Sequence, residues 1–183
     1  MLAINLSKSE FGQAQVTYLG HVVGQGKVNP VSVKVETISN FPRSESKKQL
    51  MRFLGMAGYY RRFCPNFAAV TEPLTQLLSK RVKFMWRERC DRAFKELKAM
   101  LLSAPVLAAT DFKSPFKLAV DASNVAAGAV LLQEGDEGVE HPVCYFSKKF
   151  NKTQRNYSTI SHAMFVPEPS TVTLWNSLEH STE

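Results

Sequence analysis

Phe116-Lys117-Leu118-Ala119-Val120-Asp121-Ala122-Ser123-Asn124-Val125-Ala126-Ala127-Gly128-Ala129-Val130-Leu131-Leu132-Gln133 is the stretch that decides the fold. Phe116 to Asp121 and Ala126 to Gln133 read as two strands, with Ala122-Ser123-Asn124 turning between them. Gly135-Asp136-Glu137-Gly138 is a strong turn signal, and His141 to Ser147 reads as a third strand. Three consecutive strands of this kind form an antiparallel meander.

Upstream the texture is helical. Cys90, Ala93, Phe94, Leu97 and Leu101 make one apolar stripe, with Asp91, Arg92, Lys95, Glu96 and Lys98 on the other side, ended by Ser103-Ala104-Pro105. Phe67, Val70, Leu74, Leu77 and Leu78 fit another helix, in which Pro73 forces a kink or a later start. Leu50, Phe53, Leu54 and Ala57 define a third apolar face, with Ser44 or Ser46 as cap and Lys48 and Arg52 on another side. Gly55 and Gly58 interrupt it, each costing about 1 kcal/mol relative to Ala in a helix interior. Two readings stay open there: a face that another backbone approaches closely, or a helix that ends near Gly58. Ala14 to Val23 is rich in β-branched and aromatic residues and precedes Gly24-Gln25-Gly26, which predicts a hairpin with a glycine turn. Asn29-Pro30 then suggests an N-cap and first helical position, with the helix running to about Asn40 before Phe41-Pro42.

Downstream, regular patterning is lost after Ile160, and 161–183 reads as an irregular tail. The fold class expected is therefore α+β: a β-hairpin, a small helical segment, an incomplete meander and a tail. Boundaries fall at 1–30, 31–103, 104–160 and 161–183. There is no internal repeat.

Composition narrows the function classes. Hydrophobic residues make up 44% of the 183, enough for a buried core. No apolar run approaches the roughly 20 residues of a membrane span, and Met1 to Glu10 lacks a signal pattern. A soluble, intracellular protein without a membrane partner is expected. Cys64, Cys90 and Cys144 are far apart, so they read as buried thiols instead of metal ligands or disulfides. The net charge of +7 is concentrated. Residues 43–98 hold 14 Lys or Arg against 5 Asp or Glu, a balance of +9, while the rest of the chain stands at −2. A concentrated basic segment suits a polyanion such as nucleic acid.

Seven strings, in order, carry a resemblance. They are Tyr18-Leu19-Gly20-His21-Val22-Val23; Phe53-Leu54-Gly55-Met56-Ala57-Gly58-Tyr59-Tyr60-Arg61-Arg62-Phe63; Pro73-Leu74-Thr75-Gln76-Leu77-Leu78; Ala104-Pro105-Val106-Leu107; Val120-Asp121-Ala122-Ser123 leading to Gly128-Ala129-Val130-Leu131; Tyr145-Phe146-Ser147-Lys148-Lys149; and Asn156-Tyr157-Ser158-Thr159-Ile160. From about residue 4 to 160 the chain resembles the Pol polyprotein of gypsy-type long-terminal-repeat retrotransposons, a transposable-element product, cut off at both ends. The resemblance implies that 1–30 is the end of the reverse-transcriptase palm, with Tyr18, Leu19, Gly20 and His21 as primer grip. Residues 31–103 would be thumb and connection helices that clamp a primer–template duplex, and 104–160 the start of a ribonuclease H-like domain.

The intact family is an RNA-directed DNA polymerase and ribonuclease H whose sites each hold two Mg2+ on clustered carboxylates. No aromatic-x-Asp-Asp turn lies between Met1 and Tyr18, where Glu10 is the single acid. Asp121 matches the first of the four ribonuclease H acids. Its plainer reading is a strand-end Asp that opens a turn with Ser123 and Asn124. Where the family has an acidic-Lys-Glu helix, this chain has Ser161-His162-Ala163, and Glu168, Glu179 and Glu183 match no later acid. Asp121 is thus a vestigial ligand in an incomplete metal site, and no cofactor is expected in this chain.

The binding surface is expected to survive. Lys47, Lys48, Arg52, Arg61 and Arg62 would meet phosphates, Tyr59 and Tyr60 sugars or bases, and Gly55 and Gly58 would admit a groove. Tyr59 and Tyr60 read equally as packing residues. The resulting expectation is a catalytically inactive fragment that binds RNA–DNA or DNA duplex weakly and without sequence preference. The alternatives are an active hybrid ribonuclease that uses acids not recognisable here, and a poorly folded fragment that binds nothing. Oligomeric state is left open.

Overall fold

The computed structural model describes residue 9 and residues 11–135 and 138–156. The expected tail at 161–183, the turn acids Asp136 and Glu137, and the Tyr157–Ile160 string lie outside them. The chain order is β1 (Gln15–Tyr18), β2 (His21–Gly24), β3 (Lys27–Pro30), α1 (Ser32–Ser39), α2 (Lys47–Tyr59), α3 (Phe67–Val70), α4 (Glu72–Leu77), α5 (Glu88–Leu102), β4 (Leu107–Ala108), β5 (Phe116–Ala122), β6 (Ala126–Glu134) and β7 (Glu140–Lys149). Short 3-10 turns follow α2, at Arg61–Phe63, and β7, at Gln154–Asn156. The α+β class is as expected.

The first sheet differs from the expected hairpin. Its order is β1-β2-β3-β4, all antiparallel, because the Ala14–Val23 stretch breaks at Leu19-Gly20 into two strands. The second turn, at Gln25-Gly26, has φ of 53° and 69° at its central residues, so the expected glycine turn is present. Asn29-Pro30 does not open a helix. Asn29 pairs with Val22 and Pro30 with His21, and α1 starts at Ser32 with Val31 as a cap that has no side-chain bond. Proline's fixed φ suits a sheet margin as well as a helix start, and the ladder with β2 prevails over the local cap. The unanticipated β4 pairs Leu107 with Val28, which carries residues just past 104 onto this first sheet.

The helices surround one core. Ser46 caps α2, its Oγ accepting from Gln49 N at 3.3 Å. The helix passes through both glycines to Tyr59. Pro73 sits in the first turn of α4, so the pattern expected as one helix is two short ones. Every residue of the α5 stripe is buried, and Phe53 of α2 meets Phe94 of α5 with ring centroids 4.4 Å apart. Such aromatic pairs contribute about 0.5–1.5 kcal/mol beyond area burial. Leu50, Leu74, Leu97 and Leu107 close the core.

The meander β5-β6-β7 is antiparallel as expected, with Asp121 opposite Gly128. A register shift lies between Leu131 and Leu132, where the partner strand carries Pro142, a residue that cannot donate to a ladder. The sheet is fastened to the helices. Ala68 N donates to Ser147 Oγ at 2.8 Å, and the buried Glu72 carboxylate of α4 faces Lys149 Nζ at 3.4 Å and Arg155 Nη2 at 3.7 Å. A Cβ on Gly128 would press on the Asn66 amide oxygen, so a larger residue there would require the Asn66 side chain to turn away.

Candidate nucleic-acid interface

Two motifs some 40 residues apart in sequence meet at one place. In the tight turn Tyr18-Leu19-Gly20-His21, φ is 45° at Leu19 and 78° at Gly20. Positive φ at both central residues is the hairpin geometry that matches strand twist. Glycine adopts it freely, whereas leucine is strained there. The strain is held from outside the turn. Tyr59 Oη donates to Leu19 O, Tyr60 Oη to Gly20 O at 3.3 Å, and Val31 N to Gly20 O at 3.1 Å. A Cβ on Gly20 would sit 3.1 Å from Lys34 Nζ and 3.2 Å from Tyr60 Oη.

His21 fills the space beneath. Its ring stacks on Tyr59 at 5.4 Å and 8°, meets Tyr60 edge-on at 5.7 Å, and touches Phe63 at 5.5 Å. Its Nδ1 is buried with no hydrogen-bond partner among the described residues. Burial, followed by the charges of Arg62 and Lys34, pushes the His21 pKa below 6.5, which keeps the ring neutral at pH 7. Burial and the neighbouring Tyr59 raise the pKa of Tyr60, so it remains a donor. The two tyrosines divide the alternatives left by the sequence. Tyr60 is buried, whereas Tyr59 is half exposed and offers its edge to solvent beside Tyr18 and Leu19, each 66% exposed.

From this corner an exposed stripe runs back along α2. Lys48, Arg52, Gly55 and Tyr59, spaced four, three and four residues apart, share a helix face and are all exposed. Arg61 and Arg62 extend it beyond the helix. Nothing lies within 4 Å of a Cβ built on Gly55 or Gly58, and Gly55 is exposed while Gly58 is half-buried. Lys47 stands apart from this set: its Nζ donates to Ser79 O at 2.5 Å and to Val82 O at 2.6 Å. It is a tether for the loop after α4. Lys34, which the sequence reading does not include, adds charge beside the turn, and its place on α1 gives no sign of this in sequence.

Asp121 lies elsewhere, exposed on β5. Ser123 makes the bonds of the neighbouring turn, accepting from Val125 N and Ala126 N, so Asp121 is not the turn former. Among the described residues no three His, Cys, Asp or Glu side chains cluster to hold a metal. The described residues therefore do not fit a pair of Mg2+ ions, because one carboxylate cannot seat two divalent cations in fixed geometry. No described helix is long and apolar enough to cross a membrane.

Residues 86–166 match the family described as the RNase H-like domain found in reverse transcriptase. Over 174 residues the chain is 41% identical to the retrovirus-related Pol polyprotein from transposon opus of Drosophila melanogaster, covering 89% of this chain and 17% of that polyprotein. It is 37% identical over 163 residues to the transposon Tf2-3 polyprotein of Schizosaccharomyces pombe, covering 89% of this chain and 12% of that one. Among solved structures, the foamy viral protease-reverse transcriptase in complex with RNA/DNA hybrid superposes with a TM-score of 0.75 at 24% identity, over 96% of this chain and 23% of that chain. The same enzyme type in complex with dsDNA gives 0.74 at 23% identity, over 92% of this chain and 35% of that chain. At these identities the likeness establishes the fold. Residues 86–166 thus fall in the class of RNase H-like domains found in reverse transcriptase. Within that class, the chain belongs to the Pol polyproteins of retrotransposons, and it spans less than a fifth of the length of these relatives.

Proposed function

We propose that this chain binds primer–template or RNA–DNA duplex through the face formed by the Tyr18–His21 turn and the α2 stripe, without sequence preference and without ribonuclease activity of its own. The observation that carries the reading is the joining of the turn to the end of α2. Tyr59 and Tyr60 hold the Leu19 and Gly20 carbonyls, and that junction places exposed Tyr18, Leu19 and Tyr59 beside Arg61 and Arg62. Flat apolar edges flanked by cations suit sugars and phosphates, and neither reads base sequence. The foamy viral relatives in fold were captured on RNA/DNA hybrid and on dsDNA, which supports the same ligand class here. Primer grip for the turn, thumb and connection for the helices, and partial ribonuclease H for the meander are the roles that go with this reading. Asp121, alone among the described residues, is its vestigial metal ligand.

The test is a titration of a labelled RNA–DNA hybrid at several salt concentrations. Lys48, Arg52, Arg61 and Arg62 offer four phosphate contacts, so log K should fall against log salt with a slope of about −3 to −4. Affinity should lie in the micromolar range or weaker near physiological salt. A slope near zero, or a strong preference for one duplex sequence, would refute the proposal.

A further inference from the structure

At the far end of α2 from the Leu19–Gly20 turn lies a second feature that the duplex face does not use. The 13 residues of α2 separate the two ends by roughly 20 Å, at 1.5 Å per residue. Beyond the N-terminal end, Arg43, Ser44 and Glu45 on one side and Phe84 and Trp86 on the other line a half-open cleft of about 390 Å³. That volume is within the roughly 300–1,000 Å³ typical of small-ligand sites. It has room for one base and none for a stacked base pair with its backbones.

The walls are specific. The Arg43 guanidinium lies over the Trp86 ring, 5.6 Å from its centroid, and Phe84 stands 6.3 Å from the same ring. A planar cation and two π faces form a surface on which bases stack irrespective of sequence. Ser44 lines the cleft at 1% exposure, and its Oγ has no hydrogen-bond partner among the described residues. An orphaned buried hydroxyl costs free energy that a ligand's polar edge recovers. Glu45 on the rim can only accept, which suits an N–H donor on a base edge.

The flank supplies charge. Burial alternates along 83–87: Phe84 and Trp86 are half-buried, while Lys83, Met85 and Arg87 are exposed. Lys80 and Arg81 precede them, also exposed, and no acid interrupts this run. Lys47 and Arg43 pin the segment, through Ser79 O and Val82 O and through Trp86 O. A basic segment with aromatics at alternate positions suits the stacking and phosphate contacts of single-strand platforms.

We propose that this cleft takes one unpaired base of a single-stranded nucleic acid, stacked against Arg43 and Trp86, with its phosphates on Lys83 and Arg87. The occupant is a strand leaving the end of the bound duplex. This rests on the nucleic-acid reading above, but on different residues.

Fluorescence tests it on the full chain carrying Trp175→Phe, which leaves Trp86 as the one tryptophan. Adding a short oligodeoxycytidylate should quench Trp86 emission, and a blunt duplex should not. Arg43→Ala and, as a surface change that spares the fold, Lys83→Glu should each weaken strand binding about tenfold and leave blunt-duplex affinity unchanged. If the duplex binds but the strand leaves Trp86 emission unaltered, or if both variants bind the strand as tightly as the parent, the cleft proposal is overturned alone. If neither duplex nor strand binds, both proposals fall.

Discussion

The corner around Leu19 and Gly20 and the strand around Asp121 hold sequence motifs of equal clarity, yet they end in opposite states. The corner is assembled: a strained turn, two tyrosine donors, a half-buried histidine and two arginines converge from segments 40 residues apart. Asp121 is isolated, exposed on a strand with no partner acids among the described residues. The difference follows from the physics of the two tasks proposed for them. Gripping a duplex backbone adds many modest contacts, each of which works without the others. Two-metal chemistry fails when companions are missing, because the ions need several carboxylates at once.

Breaking the corner should therefore grade its function, and breaking the strand should do nothing. The largest effect expected is on Arg61→Ala combined with Arg62→Ala, which should weaken hybrid binding roughly tenfold to hundredfold at low salt and flatten the salt slope by about 2. Asp121→Asn, measured beside it, should bind like the parent. Equal losses from both would erase the distinction between the two regions.

A smaller effect is expected from Gly20→Ala. Its φ of 78° disfavours any Cβ by about 1–2 kcal/mol, and the new methyl presses on Lys34 and Tyr60. Urea unfolding should register that loss, and duplex binding should weaken with it. A variant as stable as the parent would show that the turn is less firmly held than its bonds imply.

The smallest effect concerns pH. His21 has its folded pKa pushed below 6.5 by burial first, and the positive Arg62 and Lys34 add to this. As pH falls through 6.5 the unfolded chain takes up a proton that the folded chain resists, so stability declines downward from that point. The decline is complete once pH passes below the folded value. His21→Phe should remove that part of the acid sensitivity, as followed by thermal melts between pH 7 and 5. An unchanged pH profile would mean that the ring is more hydrated than its three aromatic neighbours suggest.

Sequence made some of this legible and concealed the rest for identifiable reasons. The α5 stripe and the meander could be read because their periods, 3.6 and 2, run long enough to show. Asp121's strand position was readable from the same alternation. The break at Leu19-Gly20 was hidden, since leucine is a poor turn residue and its positive φ is held by Tyr59 and Tyr60 from another element. At two residues, β4 is too short to have a period. Pro30 satisfies two local rules, and only its pairing with His21 chooses between them. Lys47 and Arg52 are both basic residues of one helix in sequence, yet only the fold brings Lys47 to two carbonyls, Ser79 O and Val82 O.

The proposal sets a duplex face held by the described residues against a metal site that is incomplete among them. One assay addresses both halves: an end-labelled RNA–DNA hybrid incubated with the purified chain in Mg2+, with binding followed by anisotropy and strand integrity by gel. The account predicts salt-sensitive binding and an intact RNA strand over the full time course. RNA cleavage that disappears in the Asp121→Asn variant would contradict it.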